Sequence, residues 1–432
     1  MTERVLDASL LDHRLKGIPG GAAPFAIEEI GRLGWNLLRE DLPLPAAVIR
    51  ARALEHNSRW MQRYLALSGS VIAPHGKTTM SPQLFHRQLD DGAWGITIST
   101  VQQLQVCRDF GIPRVLMANQ LIGRQAIRYV LDELERDGGF DFYCLVDSLA
   151  GVRAIATMAR ERSAGRPVQV LLEGGYAGGR TGCRDLATAL EVSRAVKEAE
   201  PFLALRGVEG FEGMLMVEPA DDGLRQVDDF LEFLIEIAVA CETEELFAPG
   251  PAILTAGGSA FYDRVVAAFT RAGMTREVIV VTRSGCYLTH DSEFFERMFQ
   301  NLLARSPAAR NLVPGLEPAL EVWSYVQSRP EPALAVLTMG KRDCGWDLGL
   351  PVPLTSCRPG RDRLPVRLGT GYAVTALNDQ HAYLCLPPDS ELEVGDLVAC
   401  GISHPCTTFD RWPLLLLVDD DYDVVGAIRT YF

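Results

Sequence analysis

Between about residue 45 and residue 290, short apolar and β-branched runs alternate with longer stretches of helical periodicity, and this alternation most limits the folds open to the chain. The strand candidates are SVIAPH (70–75), GITIST (95–100), RVLMAN (114–119), FYCLVD (142–147), VQVLLE (168–173), GVEGFEG (207–213), AILTAGG (252–258) and VIVVTRSG (278–285). Helix candidates between them include 46–67, 82–91, 101–110, 149–163, 185–199 and 222–242. Strands separated by helices pair in parallel, which makes this an α/β architecture. Roughly eight such units in about 250 residues suit a (β/α)8 TIM-like barrel better than an open sheet. After about residue 310 the helical periods fade, and Pro, Gly and short strand-like runs such as ALAVLTMG, AYLCLP and DLVACGIS take over. The predicted organisation is an N-terminal segment at 1–44 that belongs to either part, a barrel at 45–305 and a β-rich C-terminal domain at 306–432.

With 432 residues, 47% of them hydrophobic, the chain can bury the cores of one large and one smaller domain. Its net charge is -14 and no dense Lys/Arg run is present, which argues against nucleic acid as a partner. The opening MTERVLDASLLDHRLKGIPG mixes both charge signs and has no apolar core of signal-peptide length. The aliphatic run Leu414 to Val418 falls far short of the ~20 residues that span a bilayer, so a soluble protein without a membrane partner is expected. Ten cysteines spread through a long chain of this kind read as reduced thiols, which points to the cytoplasm. Most sit in apolar segments such as FYCLV, YLCLP and LVACG, where Cys acts as a small hydrophobe. Cys406 differs in having a polar, His-containing neighbourhood.

Four segments carry candidate chemistry. In APHGKTTMSP, Lys77 follows a strand in a Gly/Pro/Thr-rich loop, which in a barrel is the active-site end; taken alone it also reads as a solvated surface lysine. A phosphate-binding P-loop is excluded there, because the glycine it needs five residues before Gly76 is Val71. In SHPCTTFDRW, an extended segment would point His404 and Cys406 to the same side, where imidazole and thiolate grip one metal ion, zinc rather than magnesium or manganese. Two protein ligands suit a catalytic metal with open positions, although a packing role for an isolated H-x-C remains open. In LTAGGSAFYD, the backbone of Gly257 and Gly258 and the hydroxyl of Ser259 suit a phosphate, and the RSGCY loop at 283–287 follows the next strand; each alone also reads as a tight turn. The run EGGYAGGRTGC is not a dinucleotide fingerprint, since Tyr176 stands where the middle glycine belongs. It offers Arg180 as a cation for a phenolate or carboxylate, or else an arginine of a surface loop.

Taken in order, PHGKTTMSPQLFHRQLDDGAWGITISTVQQLQV, VLMANQLIG, GGRTGC, TAGGSAFYD, SGCYLTHD, LNDQHAYL and SHPCTTFDRW resemble the fold-type III pyridoxal-phosphate enzymes, and within them the D-serine dehydratase and D-threonine aldolase family. The resemblance covers nearly the whole chain. It implies a barrel of the alanine-racemase N-terminal type, a β-rich C-terminal domain over its mouth, and a homodimer. It further implies that Lys77 carries pyridoxal 5'-phosphate as a Schiff base, and that Gly257, Gly258 and Ser259 hold the phosphate with help from Gly285, Cys286 and Tyr287. Arg180 would lie near the cofactor oxygen, and His404 with Cys406 would bind the metal. The related aldolases carry Asp as the second ligand and favour manganese, so Cys406 tips the expectation toward zinc and dehydration. Relatives place a tyrosine before the cofactor ring in a strand, whereas this chain has GFEG there, with Phe211 unable to donate a hydrogen bond. Glu212 is the suggested substitute, and His75 and His381 are candidates for substrate contact or for a place beside the metal.

The expected activity is therefore dehydration of a D-3-hydroxy amino acid, such as D-serine or D-threonine, to a 2-oxo acid and ammonia. Retro-aldol cleavage to glycine and an aldehyde is the alternative from the same site. A non-catalytic pyridoxal-phosphate binding protein is the alternative from another class.

Overall fold

The structure, a computed structural model, describes residues 10–215 and 220–432; the first nine residues of the N-terminal segment lie outside the described residues. The chain forms two compact units, one made of residues 64–77 and 88–285, the other of 1–63, 78–87 and 286–432.

Residues 46–67, expected as one helix, divide into strand β1 (Ala46–Arg50) and helix α1 (Ala51–Ser68). Distant partners decide this, because β1 pairs antiparallel with Leu320–Trp323 and parallel with Leu416–Val418, burying Ala46, Ala47, Val48 and Ile49. Ladder bonds and burial on both faces override the local helical period.

Eight further strands follow in the first unit: β2 (Val71–Ile72), β3 (Ile96–Ile98), β4 (Arg114–Gln120), β5 (Asp141–Val146), β6 (Val168–Glu173), β7 (Leu203–Glu209), β8 (Ala252–Thr255) and β9 (Val278–Thr282). They form one parallel sheet in the order β2-β9-β8-β7-β6-β5-β4-β3. Its two ends meet where Trp94 N donates to Ile72 O (2.7 Å) and Thr97 N to Pro74 O (2.8 Å), which closes the expected barrel. Three of the helices between the strands are capped by a polar side chain: Thr100, Ser148 and Asp185 accept from Gln103 N, Gly151 N and Thr188 N. The lumen is filled by Ala73, Leu116, Tyr143, Leu145, Leu171, Ile253 and Val281.

GVEGFEG departs from the expected strand. β7 starts earlier, at Leu203, and stops at Glu209, so Phe211 and Glu212 lie in the loop that follows. The ladder ends when Gly210 N donates to Thr255 O (3.1 Å), and past that point Glu212 takes over the neighbouring amides.

The other unit is built on a sheet with the order β13-β12-β16-β10-β1-β17-β18. Its strands are β10 (Leu320–Glu331), β12 (Val352–Cys357), β13 (Val366–Arg367), β16 (Leu397–Gly401), β17 (Leu414–Val418) and β18 (Val424–Arg429), and β11 (Leu334–Leu337), β14 (Ala373–Leu377) and β15 (Ala382–Cys385) extend it from β10. Leu11, Ile18, Phe25, Ile30 and Leu37 of the N-terminal segment share the core of this unit with Trp323, Leu397 and Leu416. None of the ten cysteines is in a disulfide, and no helix among the described residues is long and apolar enough to cross a membrane.

Candidate active site

The barrel register builds a polar layer over the apolar lumen. Leu171, Gly207 and Ile253 are in register on β6, β7 and β8, and two residues further on so are Glu173, Glu209 and Thr255. Side chains at i and i+2 share a face, so both carboxylates point into the C-terminal mouth of the barrel. Arg283, just past β9, joins them: its guanidinium pairs with Glu209 at 2.6 Å and donates to Thr255 Oγ1 (3.0 Å) and Gly210 O (3.0 Å). Both partners of this ion pair are at most 2% exposed. Burial pushes the Glu209 carboxyl above the usual carboxylate range, against the pull of Arg283. Oε2 of Glu209 is buried with no hydrogen-bond partner, and so is Nε of Arg283.

Lys77 sits in a short turn, Gly76–Thr78, that follows β2. His75, two residues before it, bridges to Thr97 and keeps Nδ1 buried without a partner. Burial, and then the positive charges of Lys77, Arg283 and Arg180, hold His75 well below the ordinary imidazole value, so it is neutral.

The loop carrying Arg180 is tied to the rim. Thr181 Oγ1 donates to Glu173 (2.6 Å), Gly182 N donates to Asp147 Oδ2 (3.1 Å), and Gln120 also donates to Glu173. The Arg180 guanidinium lies 4.4 Å over the Phe211 ring, so the phenyl ring in the tyrosine position serves as a stacking surface for a cation. Glu212, fully buried, accepts from Gly257 N (2.9 Å) and Gly258 N (3.0 Å) with its two oxygens. It braces the glycine loop, and both oxygens are engaged there. Gly257 has φ +93, a conformation that favours glycine, and a Cβ on Gly258 would come within 3.1 Å of Phe211. Ser259 Oγ and Ser284 Oγ stand 3.1 Å apart, offering hydroxyls from two loops.

This donor set fits a phosphorylated aldehyde. Lys77 supplies an amine, Arg180 a cation, Ser259 and Ser284 hydroxyls, and the glycine loop leaves room that a side chain would fill.

In the other unit His404 and Cys406 come together by a route other than the one expected. The segment is not extended: Pro405 is in the right-handed helical region (φ -58, ψ -47), and Cys406–Phe409 form one helical turn whose Thr408 and Phe409 amides donate to Pro405 O (3.0 and 2.9 Å). Proline's fixed φ suits a helix start, so the ring initiates the turn. His404 Nδ1 donates to Asp347 Oδ2 (2.7 Å), and Thr407 Oγ1 donates to the other Asp347 oxygen (2.7 Å). A carboxylate on one ring nitrogen leaves the other for a metal and fixes the ring's direction. Although burial opposes it, Cys406 and then Asp347 raise the His404 value. The Cys406 thiol is held well below its ordinary value by Cys286, whose Sγ lies 4.0 Å away, and, against burial, by His404 and Thr78. Thr78 Oγ1 lies 3.5 Å from Cys406 Sγ. Among the described residues no group of three or more His, Cys, Asp and Glu side chains converges as a metal site, so the pair would leave most coordination positions open.

Other expected residues are placed as follows. His381 lies in an exposed turn between β14 and β15, and Asp347 is the residue that holds His404. Tyr287 is buried in the turn Cys286–Leu288. Glu173, Glu209, Arg283 and Asp347 are not among the residues expected from the sequence. The first three had a signal, a charged residue at the end of an apolar strand run; Asp347 had none, standing far from His404 in sequence.

Residues 49–259 match the alanine racemase N-terminal domain, and residues 319–418 match a putative serine dehydratase domain. D-threonine aldolase of Arthrobacter sp. is 24% identical over 90% of this chain and 91% of its own length. D-threo-3-hydroxyaspartate dehydratase of Delftia sp. (strain HT23) is 32% identical over 33% of this chain and 36% of its own length. The solved structure of that dehydratase superposes with a TM-score of 0.70 at 22% identity, covering 92% of this chain and 99% of the other. The structure of D-threonine aldolase from Filomicrobium marinum superposes with a TM-score of 0.74 at 22% identity, covering 92% of this chain and 97% of the other. These likenesses show an alanine-racemase-like fold with a parallel TIM-like barrel and a strand-rich C-terminal domain.

Proposed function

Because the chain belongs to the fold-type III pyridoxal-phosphate family, we propose that it is a zinc-dependent lyase that dehydrates a D-3-hydroxy amino acid to a 2-oxo acid and ammonia. D-serine, D-threonine and D-threo-3-hydroxyaspartate are the substrate candidates. The observation that carries the reading is Cys406 beside a His404 already oriented by Asp347, a thiolate and imidazole pair of the softness that selects zinc. A cysteine-to-alanine variant of a D-threo-3-hydroxyaspartate dehydratase has been solved in a metal-free form, which is in keeping with a metal in that relative.

Pyridoxal phosphate, when bound, supplies an electron sink that acidifies the hydrogen on Cα of the substrate. Lys77 would hold it through Nζ, Ser259 and Ser284 would meet its phosphate, and Arg180 would face its ring oxygen. Glu212 keeps the glycine loop in the shape this requires by filling the Gly257 and Gly258 amides. Nζ of Lys77 is the base that takes the Cα proton. His404 and Cys406 would hold a metal, which would supply Lewis acidity toward a substrate hydroxyl, and Asp347 would keep His404 oriented for it. His75, neutral at the mouth, adds no charge to compete with Lys77 for a proton.

A second reading is favoured by the match to the Arthrobacter aldolase over 90% of this chain. Removal of the proton from the β-hydroxyl would then break the Cα–Cβ bond. Product identity separates the two. Incubated with D-threonine, the purified enzyme is expected to release 2-oxobutanoate and ammonia in equal amounts; glycine and acetaldehyde would establish the aldolase reading instead.

A further inference from the structure

The Cys286 sulfur takes no step in the reaction proposed above, and it lies 4.0 Å from that of Cys406. Cys286 is buried in the turn Cys286–Leu288, while Cys406 is only partly buried and opens the turn Cys406–Phe409. A disulfide needs about 2.05 Å between sulfurs, so closing this gap asks each to move by about 1 Å. Among the described residues no group of three or more His, Cys, Asp and Glu side chains is placed to hold one metal ion, so Cys286 is not counted with His404 and Cys406.

We propose that Cys286 and Cys406 form a peroxide-sensitive redox site that controls whether the enzyme can take up its metal. Hydrogen peroxide transfers one oxygen to the Cys406 sulfur, giving a sulfenic acid and one water. The Cys286 sulfur then displaces that hydroxyl, which leaves as a second water with the Cys286 proton, and the S–S bond forms. Two thiols are oxidised, one peroxide is reduced, and a dithiol reverses the change. The disulfide removes the thiolate from the metal site, and a metal already bound to that sulfur shields it. This consequence rests on Cys406 being a metal ligand; the pairing of the two sulfurs does not.

The test treats full-length protein, stripped with a chelator or loaded with zinc, with hydrogen peroxide, and maps its cysteines by mass spectrometry after alkylation. Metal-free protein is expected to yield a Cys286–Cys406 linked peptide two hydrogens lighter than the separate peptides and lost on reduction, and zinc loading suppresses it. In Cys286→Ser the link is absent, dimedone traps a sulfenic acid at Cys406, and zinc affinity stays within about twofold of the parent. Failure of metal-free protein to form the link overturns the proposal, as does a large loss of zinc affinity in Cys286→Ser, which would make Cys286 a ligand. A link that forms equally with zinc present keeps the thiol pair and overturns Cys406 as a metal ligand.

Discussion

Asp347 Oδ2 lies 2.7 Å from Nδ1 of His404, and this single contact decides which ring nitrogen is left for a metal. Replacing Asp347 by Asn keeps the size and removes the charge. Zinc affinity is expected to fall by about 10- to 100-fold, the usual effect of losing a partner behind a metal-binding histidine. Competition with a chromophoric chelator measures it, and unchanged affinity would remove Asp347 from the site.

The Glu209–Arg283 pair makes a sharper demand on stability. Both side chains are at most 2% exposed, so Arg283→Met strands a buried carboxylate and is expected to cost about 3–5 kcal/mol. Adding Glu209→Leu removes the orphaned charge and recovers much of that loss. Denaturant unfolding of the wild type and both variants checks this, and a double variant no better than the single would contradict it.

His75 gives the fold a pH dependence of known sign. Burial holds it neutral, whereas the unfolded chain takes up a proton near pH 6.5. Its contribution is therefore present above that pH and lost as the pH falls below it, at up to about 1.4 kcal/mol per pH unit. His75→Asn should lose less stability than the wild type between pH 7 and pH 5.5, as read by thermal unfolding; equal losses would mean that the imidazole is not held neutral.

Lys77→Arg keeps the charge and removes the primary amine. The variant is expected to lack the visible absorbance of a lysine-bound pyridoxal phosphate while unfolding at a similar temperature, because Lys77 lies in a turn and is in no ion pair given among the described residues. Retained absorbance after dialysis would move the attachment to another lysine.

The barrel was legible in the sequence because parallel strands buried on both faces read as continuous apolar runs, and each of the eight runs overlaps a strand, GVEGFEG only at its first three residues. Lys77 and the glycine loop could be placed at the ends of strands because they follow those runs. What the sequence hid depends on distant partners. Ala46–Arg50 looks helical until Leu320–Trp323 and Leu416–Val418 pair with it. The His404–Cys406 pairing was found through i, i+2 logic although the backbone there is a helical turn begun by Pro405. Glu212 was expected to meet the cofactor ring, whereas its oxygens brace Gly257 and Gly258, a contact that only the meeting of two loops reveals. Asp347 reaches His404 across 57 positions, with no local pattern to announce it.

The central claim is that one protein dehydrates a D-3-hydroxy amino acid with a metal on His404 and Cys406. Its most direct test follows 2-oxo acid release from D-serine, D-threonine and D-threo-3-hydroxyaspartate by the holoenzyme, before and after chelation and again after zinc is restored, with Cys406→Ala in parallel. The account predicts release that chelation abolishes, that zinc restores in the wild type, and that zinc fails to restore in Cys406→Ala. Release that persists through chelation, or that survives unchanged in Cys406→Ala, would contradict it.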